Sequence, residues 1–250
     1  MLKLEHVTKA FGGVVATNDV SLEFPPRSLS AIIGPNGAGK TTLFNLITGH
    51  LLPDNGRILL EGEDIAGLRP AAIVNKGVGR AFQVASIFPS LTVEEALIGA
   101  VTAHMGQSGR LFQAFPPPAA KQRAEEMIEL LQMAPVARRK CSNISHGDQK
   151  LLDVGLALAL EPKVLLLDEP TAGMGPEERW DMINTVRRLW ETQHMTLIFI
   201  EHDIEIVFEV SQTINVLKYG AVLASGAPEE IRGNPDVIEA YLGTEIEEDT

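Results

Sequence analysis

The sequence predicts an α/β fold with a parallel sheet, a β-rich N-terminal portion and an inserted helical lobe. Strand-like segments surround a glycine-rich loop at residues 34–42. Helical periodicity dominates from about residue 90 to residue 160, and strands alternate with helices after that point. Because strand–helix alternation places parallel strands side by side, we expect a parallel sheet in the C-terminal half.

The same changes of pattern divide the chain into regions of a single domain. Residues 1–89 and 160–243 are expected to form the α/β core with its antiparallel β portion, residues 90–159 the helical lobe, and residues 244–250 an acidic, frayed tail. A chain of 250 residues is long enough for one large domain with a sizeable core.

The N-terminal region contains four segments with strand character. Turn residues such as Phe11-Gly12-Gly13 and Pro25-Pro26 separate them. An amphipathic helix over about Thr41–Thr48 follows the glycine-rich loop. The predicted strands are Leu2–Val7, Val20–Phe24, Leu29–Ile33 and Arg57–Glu61.

Caps and periodicity predict the remaining elements. Thr92 and Glu95 form a capping box ahead of a helix, and a second helix is expected over Ala119–Gln132. The segment Gly106–Pro118 between them is rich in Gly, Ser and Pro, which predicts a surface loop, and Pro176 opens a later helix. The predicted strands after residue 160 are Val164–Leu167, Thr196–Ile200 and the hairpin Thr213–Lys218 with Ala221–Ala224.

Composition favours a soluble globular protein and disfavours some partners. The chain is 45% hydrophobic and 22% charged. A formal net charge of −12 argues against a protein that binds nucleic acid through its overall field. The single cysteine, Cys141, cannot form an internal disulfide, which favours a cytosolic chain. The N-terminus lacks the apolar segment of a signal peptide, and no apolar run approaches the ~18 residues of a membrane-spanning helix.

The glycine-rich loop predicts a nucleotide site. Gly34, Gly39, Lys40 and Thr41 have the spacing of a P-loop. The glycines allow backbone N–H groups to close around phosphate oxygens. Lys40 can reach the outer phosphates as a point charge, and the Thr41 hydroxyl suits Mg²⁺. The predicted nucleotide contacts are Gly34, Pro35, Asn36, Gly37, Ala38, Gly39, Lys40, Thr41 and Thr42.

A second part of a phosphoryl-transfer site is predicted at the end of the apolar strand Val164–Leu167. Asp168 is placed to hold its carboxylate in the Mg²⁺ shell, and Glu169 is placed to polarise a water for attack on the γ-phosphate. The alternative is that both acids cap the following helix, and the P-loop upstream weighs against it.

Two further candidates carry little weight alone. Gln83 lies in a predicted loop between the β-rich and helical parts, where its amide oxygen could face Mg²⁺ or water. His202 follows the strand Thr196–Ile200 and could contact the γ-phosphate, although a single histidine at a strand end is more often structural.

The segment Ile144–Gln149 connects these candidates, and with it the chain resembles the ATP-binding cassette family over nearly its whole length. The resemblance implies a P-loop NTPase with a RecA-like core, an ATPase activity, and ATP and Mg²⁺ as cofactors. The roles it implies are Phe11 on the adenine, Gly34–Thr42 as the Walker A loop, Gln83 as the Q-loop, Ser145–Asp148 as the signature, Asp168 and Glu169 as Walker B with the catalytic glutamate, Ala172–Gly175 as the D-loop and His202 as the switch histidine.

In this family the signature faces the nucleotide held by the P-loop of a second subunit. Ser145 and Gly147 are expected to begin a helix that runs to about Leu160, whose N-terminus presents N–H groups and a positive dipole. The resemblance implies that Ser145, Gly147 and Asp148 contact nucleotide. It implies catalytic roles for Glu169, His202 and Gln83, and metal contacts for Thr41, Gln83 and Asp168.

The chain departs from the family pattern at three positions. His146 replaces a glycine of the signature, Asp148 replaces its usual Gln or Glu, and Gly175 replaces the usual Asp or Asn of the D-loop. We expect His146 to point outward while Ser145 and Gly147 bind, and the alternative is that His146 adds a titratable contact near phosphate. The change at position 175 removes a polar contact across the dimer.

A narrower resemblance is to the branched-chain amino-acid uptake branch, whose relatives carry urea, short amides or aromatic acids. It is carried by Arg80–Gln83, the loop at 106–118, Ala172–Met174, Ile200–Asp203 and the ending Asn234–Gly243. The resemblance implies an importer with transmembrane permease subunits and a second cassette, identical or different, and no nucleic acid. It also implies that a periplasmic solute-binding protein delivers the solute, and that the cassette lies peripherally on the cytoplasmic face of the inner membrane.

Two other functions remain as alternatives. Soluble cassette ATPases of translation or DNA repair usually fuse two cassettes or insert a long coiled coil, whereas the interval from Gln83 to Ser145 fits only a compact lobe. A P-loop kinase that phosphorylates a metabolite explains neither the segment Ser145–Gln149 nor His202.

Overall fold

In the computed structural model, residues 1–81, 88–106 and 116–240 are described. The strands are β1 Leu2–Phe11, β2 Val14–Phe24, β3 Leu29–Ile33, β4 Asn55–Leu60, β5 Glu63–Asp64, β6 Val78–Ala81, β7 Val164–Asp168, β8 Thr196–Ile200, β9 Thr213–Lys218 and β10 Ala221–Gly226. The helices are α1 Lys40–Ile47, α2 Pro70–Asn75, α3 Val93–His104, α4 Pro118–Leu130, α5 His146–Leu158, α6 Pro176–Gln193, α7 Ile204–Val210 and α8 Pro228–Arg232.

The strands form two sheets. The first is antiparallel, in the order β2-β1-β4-β5. The second has the order β10-β9-β3-β8-β7-β6, and its neighbouring strands are parallel except in the β9–β10 hairpin. The predicted combination of a parallel sheet, an antiparallel N-terminal portion and intervening helices is therefore confirmed.

The register of the parallel strands brings three carboxyl ends to one edge of the sheet. Ile32 near the end of β3 and Asp168 at the end of β7 both pair with Ile200, the last residue of β8. The glycine-rich loop, Glu169 and His202 therefore follow the ends of neighbouring strands and lie side by side at this edge. In open α/β sheets, ligands bind at this edge.

The parallel sheet separates two hydrophobic clusters, one on each face. β3, β7 and β8 are buried along their whole length, as continuous apolar runs in a covered parallel sheet are. Because successive side chains point to opposite faces, Leu165 and Leu167 join the cluster that includes the helical lobe. Val164 and Leu166 join the cluster beneath the antiparallel sheet and α1.

The helix α5 connects the helical lobe to the sheet. It contacts α3 on one side and β6 and β7 on the other. Gly155 permits the close approach within the lobe, because a Cβ atom at this position would lie 2.6 Å from Leu131 Cδ1 and 3.1 Å from Leu97 Cδ2. The division of the chain into a core and a lobe at particular residues stays a prediction.

The predicted elements after residue 160 lie within two residues of the observed ones. The capping box before α3 is also confirmed: the Glu95 amide donates to Thr92 Oγ1 at 3.2 Å, and the Thr92 amide donates to Glu95 Oε2 at 2.8 Å. β1 and β2 are longer than predicted because they extend to Phe11 and Val14, which pair across a two-residue turn. Within the described residues, each helix is too short or too polar to cross a bilayer.

No strand is predicted from the sequence at residues 78–81, although the structure has one there. They belong to β6, which pairs in parallel with β7. Gly79 and Arg80 interrupt the apolar pattern that marks a buried strand, and the hydrogen bonds to β7 compensate for the interruption. Most of the predicted loop Gly106–Pro118, and all of the tail at 244–250, lie outside the described residues.

The central strand β8 offers a matched test of the buried core. Leu197 is 0% exposed on β8, whereas Leu52 is 62% exposed. Leu197→Ala should lower the free energy of unfolding by about 2–5 kcal/mol because it removes buried methyl groups and leaves a cavity. Leu52→Ala should change it by less than about 0.5 kcal/mol. Urea unfolding measures both values, and equal losses would contradict the assigned core.

Candidate nucleotide site

The loop between β3 and α1 surrounds an open cleft. Gly34 and Gly39 have φ angles of +151° and +98°. A Cβ atom at Gly34 would lie 2.2 Å from the carbonyl oxygen of Leu217, and one at Gly39 would lie 2.2 Å from that of Ala16, so only glycine fits. The cleft has a volume of about 210 Å³ and is lined by Ala16, Asn36, Gly37, Ala38, Gly39, Lys40, Thr41, Thr42, Glu169 and His202.

Lys40 places a cation in this cleft. Its ammonium group donates to the carbonyl oxygen of Gly34 at 2.6 Å and to that of Pro35 at 3.1 Å. Burial lowers the pKa of Lys40, while the nearby carboxylates of Glu169 and Asp168 raise it. The P-loop cation and both acids predicted from the sequence are therefore close enough to interact.

Asp168 lies at the end of β7, outside the lining of the cleft. Its Oδ2 accepts a hydrogen bond from Arg80 Nη2 at 2.6 Å, and both side chains are almost fully buried. Arg80 Nη1 also donates to Asn45 Oδ1 at 2.7 Å. Because the guanidinium group bridges α1 and β7, it compensates a buried charge and fixes the orientation of the carboxylate.

Glu169 and His202 face each other across the cleft. Glu169 Oε1 lies 3.1 Å from His202 Nε2. The backbone of Glu169 has a φ of +48°, a left-handed conformation that costs a residue with a side chain about 1–2 kcal/mol. Its amide donates to the carbonyl oxygen of Ile200 at 3.0 Å, which fixes Glu169 to the end of β8.

Two buried charged side chains hold the turn that contains Glu169. Lys150 Nζ on α5 donates to the carbonyl oxygens of Glu169 and Ala172, at 2.9 Å and 2.7 Å. Burial lowers the pKa of Lys150, while Glu201 and Glu169 raise it. Glu201 Oε1 accepts hydrogen bonds from the amide and the hydroxyl of Thr171, at 2.8 Å and 2.6 Å. The turn is thus bonded to α5 and to the end of β8.

The predicted signature segment lines a separate groove of about 500 Å³. Ser145 is the N-cap of α5: the Asp148 amide donates to Ser145 Oγ at 3.1 Å, and the Ser145 amide donates to Asp148 Oδ2 at 3.3 Å. Ser145, Gly147 and Asp148 line this groove with Met174. Within the described part of one chain, the two predicted halves of the nucleotide site therefore open into different clefts.

The sequence matches the protein family described as ABC transporter over residues 17–172, more than half of the chain. The chain belongs to the ABC transporter family. Residues 221–247 also match the family described as branched-chain amino acid ATP-binding cassette transporter. The chain is thus an ATP-binding cassette, and the predicted P-loop NTPase fold and ATPase class are confirmed.

Similar proteins cover nearly the whole cassette. The high-affinity branched-chain amino acid transport ATP-binding proteins BraF of Pseudomonas aeruginosa and LivG of Escherichia coli K12 are each 38% identical, over 97% of this chain and 98% of theirs. Among solved structures, the ADP conformation of MJ1267, an ATP-binding cassette of an ABC transporter, has a TM-score of 0.85 and 32% identity, over 97% of this chain and 98% of that one.

The ABC cassette brings only some of the predicted site residues together. The P-loop residues Asn36–Thr42, Glu169 and His202 share one cleft. Phe11 is 47% exposed at the end of β1 and outside the lining of that cleft, with its ring centroid 5.6 Å from Lys9 Nζ. Its contact with adenine stays a prediction. Gln83 lies outside the described residues, so its roles also stay predictions.

The positions that depart from the family pattern have distinct surroundings. His146 is exposed, and its Nε2 lies 3.6 Å from the place of a Cβ atom at Gly173, so the ring lies beside the D-loop. Gly175 is the N-cap of α6, and its amide donates to Glu178 Oε2 at 3.3 Å. Asp148 completes the cap of α5, which leaves its contact with nucleotide a prediction.

Three residues of the site were missed from the sequence. Arg80 could have been noticed as a charge in a short apolar segment, and Lys150 as a cation on the buried face of α5. Glu201 directly follows a fully buried strand, which indicates a carboxylate at the sheet edge. The signal in each case is a charge at a position that periodicity assigns to the interior.

The residues present fit a magnesium nucleotide. The loop backbone encloses a cleft that side chains at Gly34 or Gly39 would distort, and Lys40 supplies a cation within it. Thr41 lines the cleft, and the Asp168 carboxylate lies close enough to raise the pKa of Lys40. A small number of oxygen ligands is what Mg²⁺ requires when phosphates and water complete its shell.

Asp153, on α5, carries a pH-dependent cost in stability. Its Oδ2 is buried with no hydrogen-bond partner among the described residues, and burial raises the pKa of Asp153 to about 6. The folded chain therefore holds this proton more tightly than the unfolded chain, whose aspartates titrate near pH 3.9. Stability from this group is present below about pH 4 and is lost as the pH rises to about 6.

Asp153→Asn should remove that loss. Relative to the wild type, the variant should gain about 1–3 kcal/mol in free energy of unfolding between about pH 4 and pH 7, because its side chain has no charge to desolvate. Urea unfolding across this range measures the difference. A difference that does not change with pH would contradict the assignment.

Proposed function

We propose that this cassette hydrolyses ATP to drive import of branched-chain amino acids or a related small polar solute. The observation that carries the proposal is the 38% identity, over nearly the full chain, to BraF and LivG, whose names state branched-chain amino acid transport. The match of residues 221–247 to a branched-chain amino acid cassette family supports the same branch. These relatives favour an importer over a soluble cassette of translation or DNA repair.

The geometry supports a separate role in hydrolysis for each group of site residues. Lys40 and the backbone amides of the P-loop bind the phosphates, and Thr41, Asp168 and Gln83 are the proposed ligands of Mg²⁺. When bound, Mg²⁺ neutralises charge on the β- and γ-phosphates. Glu169 accepts the proton of the attacking water as general base, and its hydrogen-bond partner His202 keeps the carboxylate oriented toward the cleft.

The separation of the two clefts supports a site completed by a second subunit. The capping box uses the amides of Ser145 and Asp148, and the amides of His146 and Gly147 at the same helix end are oriented to bind an anion. We propose that this end of α5 binds the γ-phosphate of nucleotide held by a partner cassette. Closure of the dimer then moves the permeases at the cytoplasmic face of the membrane, and a periplasmic protein delivers the solute.

Glu169→Gln tests the general base. The variant should bind ATP but lose about 10²- to 10⁴-fold in turnover, since an amide cannot accept the proton of the attacking water. It should also accumulate as an ATP-bound dimer. Phosphate release, retention of labelled ATP and light scattering provide the measurements.

Two variants control this experiment. Glu191→Gln makes the same change at a half-exposed carboxylate paired with Arg187 on α6, and it should retain wild-type turnover. Lys40→Ala should bind ATP only weakly, because the cation of the P-loop is lost. Wild-type hydrolysis by Glu169→Gln would show that another group is the base.

Uptake of labelled solutes tests the proposed substrate class. Cells that lack this chain should lose most of their leucine uptake, and the wild-type chain should restore it while Glu169→Gln should not, because transport requires hydrolysis. Labelled urea and aromatic acids are measured in parallel as the alternative solutes. Leucine uptake that does not depend on the chain would exclude the branched-chain assignment.

A further inference from the structure

Lys150 joins the helix that begins after Ser145 to the turn that carries Glu169. It is only 5% exposed, although lysine is among the residues least often buried. Its two acceptors are the carbonyl oxygens of Glu169 and Ala172, the first and last residues of the turn after β7. The amide of Ala172 itself donates to the Glu169 carbonyl at 3.2 Å, so the ammonium group closes this turn at both ends.

Glu201 binds the same turn from the end of β8. Its Oε1 accepts both hydrogen bonds of Thr171, and its Oε2 accepts one from the amide of His202 at 3.1 Å. A cation from α5 and an anion from the sheet edge therefore fix the turn together. Their contacts sustain the left-handed conformation of Glu169, which steric repulsion disfavours unless the surroundings enforce it.

We infer that Lys150 is a positioning residue that makes the Glu169 carboxylate of one nucleotide site depend on the placement of α5, whose N-terminal end serves the other site. The inference rests on the proposed function, in which the Ser145 end of α5 faces nucleotide on a second subunit. Lys150 lies five residues beyond Ser145 in the same helix, about one and a half turns away. A displacement of that helix end is therefore carried to the turn from Glu169 to Ala172 by two hydrogen bonds, one to the carbonyl oxygen of each of these residues.

Arg188 provides a matched control, because its hydrogen bond connects the core to the helical lobe without reaching the turn of Glu169. Arg188, on α6, donates through Nη2 to the carbonyl oxygen of Leu130 at 2.9 Å. Like Lys150, it is a long cation that bonds a carbonyl oxygen across the boundary between the core and the helical lobe. Its bond reaches the end of α4, whereas that of Lys150 reaches the catalytic turn.

The first experiment separates positioning of Glu169 from binding and folding. In the full chain, Lys150→Met keeps the volume and length of the side chain but removes its donors. We expect ATP affinity within about twofold of the wild type and a maximal rate lowered about 10- to 100-fold, the effect of a misplaced catalytic group. Arg188→Met should keep the maximal rate within about twofold.

The second experiment tests the connection to α5 by a double-mutant cycle. Ser145→Ala should lower the maximal rate in the wild type but change it by less than about threefold in Lys150→Met, because the route to Glu169 is already broken. Effects that multiply would show that Ser145 and Lys150 act independently, which would overturn the connection. Equal losses of maximal rate in Lys150→Met and Arg188→Met would show that Lys150 only holds the two lobes together, which would overturn its positioning role.

Two further outcomes distinguish a loss of Lys150 positioning from a folding defect and from a failure of the proposed function. If Lys150→Met lowers the unfolding temperature by more than about 10 °C, Lys150→Gln, which has a shorter side chain with a neutral NH₂ donor group, is judged by the same criteria. If the wild type hydrolyses no ATP, or Glu169→Gln neither retains ATP nor dimerises, the proposed function itself fails. If those controls behave as expected and Lys150→Met turns over like the wild type, only the inference about Lys150 is wrong.

Discussion

The parallel register of β3, β8 and β7 is the constraint on which the site depends. Because Ile32 and Asp168 are both level with Ile200, the chain leaves three neighbouring strands at the same height. The P-loop, the acidic turn and His202 are far apart in sequence and meet only through this register. A shift of one strand by one residue would exchange the side chains that it contributes to the two hydrophobic clusters, and the close packing of both clusters opposes such a shift.

The turn that contains Glu169 combines several energetically unfavourable features, and its neighbours offset them. Glu169 adopts a left-handed backbone, Lys150 and Glu201 are charged and buried, and Asp168 is buried next to Arg80. Each feature alone destabilises a fold. Together, the buried cations lie close to the carboxylates and carbonyl oxygens, which satisfies most of their hydrogen-bonding groups. The result is a turn with little freedom to adopt another geometry, which suits the role proposed for the Glu169 carboxylate.

The sequence predicted the features that local chemistry determines. The runs at Val164–Leu167 and Thr196–Ile200 are continuous and apolar, so their burial in a parallel sheet followed directly. The P-loop and the cap at Thr92 have side-chain and backbone requirements within a few residues. Arg80 could not be assigned in this way, because its partner Asp168 is 88 residues away and only the pairing of β6 with β7 brings them together.

The signature illustrates a different limit of sequence reasoning. Ser145 and Asp148 were identified by position, but their mutual capping bonds emerge only when α5 is in place. Gln83 was also identified by its position in a motif, but it lies outside the described residues and its contacts stay predictions. Roles that depend on a second chain, such as the proposed contact of Ser145 with nucleotide, stay predictions because the contacts of a single chain do not include those of its partner.

The net charge of −12 shows how this cassette must bind a polyanion. A chain with so many carboxylates cannot attract ATP through its overall field, so the attraction has to be local. Lys40 and the N-terminus of α1 lie at one cleft where they can supply it, and under the proposed function the N-terminus of α5 supplies it in the other. Oriented backbone amides act only at hydrogen-bond distance, so the second cleft contributes only when a partner brings its nucleotide into contact. Under the proposed function, the short range of these groups is therefore a further reason for the pairing of two chains.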